Sequence, residues 1–535
     1  MIQLTGKRAE KALLLLLFFG GKRSSSTAFR ALLHPRPITG PVSRSHALSS
    51  TTAVEVIAES ARDHSAAPEG VASSRQLSKA VVVARGKARL FWEGNPLVYG
   101  GAISRVEGNP GAGDVVDVID SSGKFIAWGV FNPDSMYRVR ILAREGEAVA
   151  GARDVGAVVR ERLMTARNAR RAIGIPNSNT NTYRLVNGEG DRLSGLVVDV
   201  FAGVVGVSSS ALWVEAFRSD IEAALEHVLG PDATEIIWRR SDGRLQQDGW
   251  KGNTGNGNTA AVAAAAAVGE ETETMGDGDD DEAAVAAHGE GQELPVGGPG
   301  WAAGEGRGMA EERRRKSDVP TTVVRELGLE YLVRPQFGQK TGFYCDQREN
   351  RAAVRELSAG KTVLDMFCYS GGFSLNAAAG GALGVVAVDS SQPALEEAEM
   401  NAARNNLVGL TEFVKDDALK FMKNAQNNGD RYDMVILDPP KLAPNKKSLP
   451  RATSRYKRLN TAALALVAPG GILVTFTCSA AMTQGGGFVD MVQGAAAAAG
   501  RTITLLKTVG PAADHVTNPC YPEGAYLTGA FFYVV

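Results

Sequence analysis

The chain has 535 residues, more than a single hydrophobic core supports, so two to four domains are expected. A hydrophobic share of 44% with 22% charged residues is that of a soluble globular protein, and a net charge of -1 rules out a uniformly basic chain. Cys345, Cys368, Cys478 and Cys520 fit neither a zinc-ligand spacing nor a disulfide framework, which points to a reducing compartment and leaves any special cysteine to act as a thiolate.

Residues 1–75 read as a targeting leader. The first 54 hold eight Lys/Arg against the single acid Glu10, with many serines. The apolar run Ala12–Phe19 is too short to span a bilayer and reads as a signal-peptide core, followed by an Arg/Ser-rich transit-like stretch. Ser26-Thr27-Ala28-Phe29 resembles the cleavage-site Phe of bipartite plastid leaders. A plastid is therefore expected ahead of a mitochondrion, with a cytosolic protein bearing a disordered tail as the third option.

From Lys79 short apolar segments alternate with Gly, Asn, Pro and Asp (Ala80–Ala84, Val98–Ile103, Val115–Ile119, Phe125–Val130, Tyr137–Leu142), which predicts a small β-rich module over 79–150. Between Arg75 and Arg184, 17 Lys/Arg stand against 10 Asp/Glu, an excess of +7 that suits a polyanionic partner as well as a plain solvated surface. A mixed α and β region follows over 151–335, with a helix near Ala157–Arg171, strands near Tyr183–Asp199 and Val204–Ser208, a helix over Val214–Leu229 and a strand at Glu235–Trp238. Low-complexity sequence interrupts it from about Gly243 to Ser317, with an acidic run at Asp277–Glu282 and a basic one at Arg313–Lys316, and predicts a disordered insertion. A strand pair at Leu327–Pro335 is expected to return to this middle domain.

Over 336–535 strands and helices alternate, which predicts an α/β fold with a doubly wound parallel sheet and ligands beyond the carboxyl ends of its strands. The strand Thr362–Met366 carries Asp365 and runs through Phe367, a further cofactor-binding candidate, into Ser370, Gly371 and Gly372, small residues that admit a ligand to the backbone as a helix begins. The next strand, Val385–Val388, ends in Asp389, placed to accept both hydroxyls of a ribose. A third ends at Asp416-Asp417, where Asp417 can accept an adenine amino group. Asp433–Leu437 then runs into Asp438-Pro439-Pro440-Lys441, whose prolines hold a rigid turn. This resembles motif IV of class I methyltransferases acting on nucleobases or other planar nitrogen-bearing groups, and it selects S-adenosyl-L-methionine as the cofactor. Cys478, in Thr477-Cys478-Ser479 at the end of the following strand, is suited to add to carbon 6 of a pyrimidine and so activate carbon 5, with Asp438 at N3. Asp514, His515 and Glu523 are open alternatives for the base that removes the carbon 5 proton.

Taken together, Gln339–Arg348, Ser370-Gly371-Gly372-Phe373, Asp438-Pro439-Pro440-Lys441, Thr477-Cys478-Ser479, Ala512-Ala513-Asp514-His515 and Tyr521-Pro522-Glu523-Gly524 resemble the bacterial large-subunit rRNA cytosine-5 methyltransferase family, with Tyr183-Arg184-Leu185 and Gly188-Glu189-Gly190-Asp191 as the entry to a central domain. The resemblance implies an N-terminal PUA domain that binds structured RNA, a small central α/β domain and a C-terminal Rossmann-like methyltransferase domain. It implies large-subunit rRNA as partner, no membrane, and an oligomeric state left open, a homodimer included. Lys340 and Thr341 fall in the segment that closes over the methionine end of the cofactor, and Asp438 borders both cofactor and base. No metal is called for. Two other readings stay open: methylation of a base amino group, which needs no nucleophile, and an RNA-binding assembly factor without catalysis.

Overall fold

The computed structural model describes residues 79–147, 153–250, 321–336, 342–443 and 445–535. The leader, Lys340, Thr341 and most of the expected insertion lie outside these residues.

The N-terminal module follows the alternation of its strands. β1 (Ala80–Val83), helix α1 (Ala88–Trp92), β2 (Leu97–Tyr99), β3 (Ile103–Glu107), β4 (Val115–Ile119), β5 (Phe125–Phe131) and β6 (Tyr137–Arg144) form a six-stranded sheet in the order β2-β6-β5-β4-β1-β3. β4 buries Val116 and Val118 among Val81, Phe91, Ile126 and Ile141, while Asp117 faces out to pair with Arg153. The predicted strand Val98–Ile103 is split by a 3-10 turn at Gly100–Ala102. Gly129 in β5 is obligatory, because a Cβ there would lie 2.1 Å from the Arg140 carbonyl oxygen.

The second layer comprises helix α2 (Val155–Ala172), strands β7 (Thr182–Asn187), β8 (Leu196–Phe201) and β9 (Val204–Ser209), helices α3 (Leu212–Ala216) and α4 (Arg218–Leu229), β10 (Glu235–Arg240) and helix α5 (Asp242–Gln247), with sheet order β10-β9-β8-β7. Asp154 caps α2 by accepting from the Ala157 N–H. Its core is shared with Trp128, Val130 and Leu142 of the first module, so the two pack as one body. The boundary expected at Gly243 is corrected. α5 is ordered, and buried Asp248 after it accepts from Ser135, Arg140 and the Leu212 N–H. Those partners lie far away in the chain, so local sequence texture gave no sign of them.

The strand pair is β11 (Thr322–Glu326) and β12 (Leu329–Val333), turning at Leu327 and Gly328, both at positive φ. It makes its own two-stranded sheet instead of joining β7–β10. Its core side chains Val324, Tyr331 and Val333 cluster with Phe201 and with Val363, Ala377 and Ala402 of the C-terminal domain. Asn181 bonds it on one side (Arg325 N–H to Oδ1, 2.6 Å), and Asn401 and Asn405 bond it on the other.

The C-terminal domain contains α6 (Arg348–Leu357), β13 (Thr362–Met366), α7 (Gly372–Ala379), β14 (Gly384–Asp389), α8 (Gln392–Arg404), β15 (Thr411–Lys415), α9 (Ala418–Asn428), β16 (Tyr432–Leu437), α10 (Leu449–Leu466), β17 (Val467–Thr477), α11 (Ala480–Gly485), α12 (Phe488–Ala498), β18 (Ile503–Val509) and β19 (Thr528–Val534). The seven-stranded sheet runs β15-β14-β13-β16-β17-β19-β18. β13 to β17 are parallel as expected, and β19 departs from expectation by pairing antiparallel with both β17 and β18. Chain order reverses at β13, the switch point where such sheets open a ligand crevice. Among the described residues no helix is long and apolar enough to cross a membrane.

Candidate active site

The turn after β13 is held by backbone bonds and carries strain. Phe367 and Tyr369 adopt positive φ (64° and 50°) and Gly371 follows at 83°. Non-glycine residues occupy that region only where the surroundings impose it, commonly at ligand sites. Here the Phe367 and Cys368 N–H groups donate to the Val388 carbonyl at 2.9 and 3.1 Å. The glycines serve the protein's own packing. A Cβ at Gly371 would meet Ala398 at 3.3 Å, and one at Gly372 would meet the Arg351 guanidinium at 3.2 Å. Ser370 is buried, and its carbonyl accepts from the Asn401 amide.

Asp365 sits within β13 and is fully buried. Ser374 Oγ donates to Oδ2 at 2.5 Å, while Oδ1 has no hydrogen-bond partner among the described residues. Burial pushes its carboxyl up to about 7, partly offset by Ser374 and reinforced by the charge of Asp438. At the end of β14 each Asp389 oxygen takes one backbone N–H, from Tyr369 and Ser391, both at 2.9 Å. The half-buried carboxylate is thus fixed with lone pairs to spare. Asp417 caps α9 by accepting from the Lys420 N–H at 2.9 Å, so one oxygen is committed to the helix and the other is left for an adenine contact. These groups fit S-adenosylmethionine. The buried, unpartnered Asp365 oxygen suits the α-ammonium, and rigid Asp389 suits the two ribose hydroxyls.

Asp438 and Cys478 end the neighbouring strands β16 and β17 and lie on one loop pair. Cys478 Sγ is 3.9 Å from the Pro439 carbonyl oxygen. Ser479 Oγ accepts from the Ala443 N–H at 3.0 Å and pairs with Tyr456 of α10 at 2.9 Å, clasping the two loops together. Cys478 is half-buried. Cys345 and Cys368, by contrast, are buried with thiols pushed up by desolvation, which makes them inert.

Two residues here carried no signal of their own. Gln347 Nε2 donates to Asp438 Oδ2 at 3.2 Å, while its Oε1 accepts from the buried Asn350 at 2.6 Å, which fixes the amide's orientation. Tyr344 stacks edge-on against Tyr369 at 5.4 Å. Burial pushes its hydroxyl up, and the charges of Asp346, Cys478, Asp438 and Asp389 push it further, so one ring senses three strand ends. Both residues lie in the Gln339–Arg348 motif, which had been read only for its cofactor-closing part.

The candidate bases separate. Asp514 is fully buried, takes Arg348 at 2.8 Å and the Arg184 N–H at 2.8 Å, and contacts His515 Nδ1 at 3.0 Å. Burial alone would raise its carboxyl, but His515 and Arg348 overcome this and hold it well below the usual carboxylate range. That is a structural ion pair, and it removes Asp514 as a base. His515 is buried beside it. Glu523 is exposed on the turn Pro522–Gly524. The Asp514 segment is a joint: Arg170 of α2 donates to the Asp514 carbonyl at 2.7 Å, and a Cβ at Gly190 would fall 2.0 Å from the Val516 carbonyl oxygen.

A sheet reversing at β13, a strained turn beside buried Asp365 and the Asp438–Cys478 loop pair define a Rossmann-like S-adenosylmethionine-dependent methyltransferase carrying an N-terminal PUA-like domain. Comparison agrees: the S-adenosylmethionine-dependent methyltransferase family matches residues 290–502 and the PUA-like domain matches 81–144. A ribosomal RNA large subunit methyltransferase I from Enterobacter sp. (strain 638) is 31% identical over 456 residues, covering 85% of this chain and 98% of its own. The protein of the same name from Shigella boydii serotype 4 (strain Sb227) is 32% identical over 457 residues, covering 85% and 98%. The chain belongs to this ribosomal RNA large subunit methyltransferase I family. A putative SAM-dependent methyltransferase from Streptococcus mutans shares the fold, with a TM-score of 0.61 at 19% identity over 85% of this chain and 99% of that one. Another solved structure with the same scores is a putative methyltransferase complexed with SAH.

Proposed function

We propose that this protein methylates carbon 5 of a cytosine in large-subunit ribosomal RNA through a covalent Cys478 adduct. The observation that carries the reading is the placement of the half-buried Cys478 thiol 3.9 Å from the carbonyl oxygen of Pro439, the residue after Asp438. Bound over Asp365 and Asp389, S-adenosylmethionine supplies an electrophilic methyl group on a sulfonium sulfur. Cys478 Sγ adds as a thiolate to carbon 6, and carbon 5 gains the electron density to accept the methyl group. Asp438, oriented by Gln347, hydrogen-bonds the N3 edge and stabilises the adduct. Loss of the carbon 5 proton to a base then breaks the bond between sulfur and carbon 6 and frees the thiolate. Of the three candidate bases, Glu523 alone offers an exposed carboxylate. The target base must leave its stack to reach the thiol.

The composition of the leader supports an organellar substrate, a plastid ahead of a mitochondrion. One experiment tests site and place together: bisulfite sequencing of plastid, mitochondrial and cytosolic rRNA after gene disruption. One cytosine of organellar large-subunit rRNA should lose its methyl mark, with wild type restoring it and Cys478→Ser failing to. Restoration by Cys478→Ser would favour amino-group methylation, and an unchanged profile would overturn the proposal.

A further inference from the structure

Part of the excess of positive charge between Arg75 and Arg184 is spent inside the protein, on Asp191, Asp199 and Asp248 from outside that range. Eight of the cations between Arg75 and Arg184 are held in ion pairs, among them Arg140 with Asp248, Arg170 with Asp191 and Arg184 with Asp199. A second run contains four cations that are not spent in this way. Between Asp438 and Asp490 the chain contains no Asp or Glu, yet seven Lys/Arg stand from Lys441 to Arg458. Lys446, Lys447, Arg455 and Arg458 are exposed and form no ion pair among the described residues.

Their arrangement is ordered. Arg451, Arg455 and Arg458 lie four and three residues apart along one exposed edge of α10, beside the buried stripe Ala452, Tyr456, Leu459 and Ala463. The stripe extends about 10 Å along the helix at 1.5 Å per residue. Lys446 and Lys447 continue it over the loop that precedes the helix. This arrangement works against the helix itself. Lys446 and Lys447 beside the helix N-terminus oppose its dipole, and the like charges Arg455 and Arg458, one turn apart, repel. A bound polyanion would relieve both penalties.

The stripe is also continuous with the site. It shares α10 with Tyr456, whose hydroxyl accepts from the Leu442 N–H at 3.4 Å and pairs with Ser479 beside Cys478. We infer that the loop after Asp438-Pro439-Pro440 and the exposed face of α10 grip the phosphate backbone of the RNA next to the target nucleotide, as a contact surface separate from the PUA-like domain. This inference rests on the proposed RNA substrate. It adds where the backbone is held, a task that base contacts at Cys478 and Asp438 cannot perform.

The test uses the full-length protein with Lys446→Gln, Lys447→Gln, Arg455→Gln and Arg458→Gln combined, all at exposed positions. Binding of a large-subunit rRNA transcript is followed against salt concentration, alongside binding of S-adenosylmethionine and of phosphatidylserine vesicles. The slope of log affinity against log salt should fall by about 3, at ~0.7–0.9 per phosphate contact, with RNA affinity down on the order of 100-fold near physiological salt and cofactor binding unchanged. An unchanged slope and RNA affinity would overturn the inference, as would loss of vesicle binding with RNA binding intact. Because binding is read without methyl transfer, failure of the covalent reading and failure of the surface are separable. A wild type trapped covalently by rRNA carrying 5-fluorocytidine, with an unchanged salt slope in the variant, sinks the surface alone.

Discussion

Asp365 is the most constrained side chain of the site, and its constraint makes pH a probe of the cofactor pocket. Its carboxyl is pushed up to about 7 by burial, above the ordinary value near 3.9. Between those values the folded state holds a proton that the unfolded chain has lost, so this group lowers stability as pH rises through the window. Pairing with an α-ammonium requires the carboxylate, so binding releases the proton. S-adenosylmethionine affinity should rise about tenfold per pH unit below 7 and level off above it. Calorimetry across pH should show this, and Asp365→Asn should flatten the profile; a wild-type profile that is already flat would place the ammonium elsewhere. Asp365, Asp389, Asp438 and Cys478 were all legible in the sequence, because an apolar strand ending in a polar residue is a local pattern. Gln347 was not. Its importance comes from Asn350 turning its amide toward Asp438, and that contact joins residues 91 positions apart.

At the scale of elements, strands were read well and junctions poorly. β4 and β13 match their predicted bounds, since an apolar run between turn residues defines both ends. The predicted helix Val214–Leu229 breaks at Phe217 into α3 and α4, and α5 was assigned to the insertion, because each is shaped by tertiary partners. The same holds for Asp514, a candidate base by motif and a keystone by packing. With Arg348 it joins α6 to the C-terminal loop, while Glu326 of β11 takes Arg351 at 2.7 Å. Asp514→Asn leaves Arg348 with only the longer Glu326 pairing at 3.6 Å and should cost ~2–4 kcal/mol at neutral pH. Because the Asp514 carboxyl is depressed in the folded state, the wild type keeps this contribution above the unfolded value near 3.9 and loses it as pH falls further. Urea unfolding at several pH values should show the two proteins converging in acid. A neutral-pH difference under ~1 kcal/mol would mean that the joint is held by other contacts.

At the scale of the whole molecule, the layers share cores instead of hanging on linkers. Trp128 of the first module packs in the core of the second, and the hairpin β11–β12 bonds to Thr180 and Asn181 just before β7 on one side and to Asn401 of α8 on the other. RNA held by the N-terminal module or by α10 is thus held relative to one body that contains Cys478. Net charge is a coarse guide to a polyanion-binding surface, because sequence counts charges but cannot tell which are paired. The central claim remains covalent attack by Cys478. Its most direct measurement is mass spectrometry of the protein incubated with S-adenosylmethionine and large-subunit rRNA carrying 5-fluorocytidine, in which fluorine at carbon 5 blocks the final elimination. A stable RNA adduct is expected on a peptide containing Cys478 and is expected to be absent in Cys478→Ser. Methylation of unmodified RNA with no adduct on the analogue, or an adduct on another cysteine, would contradict it.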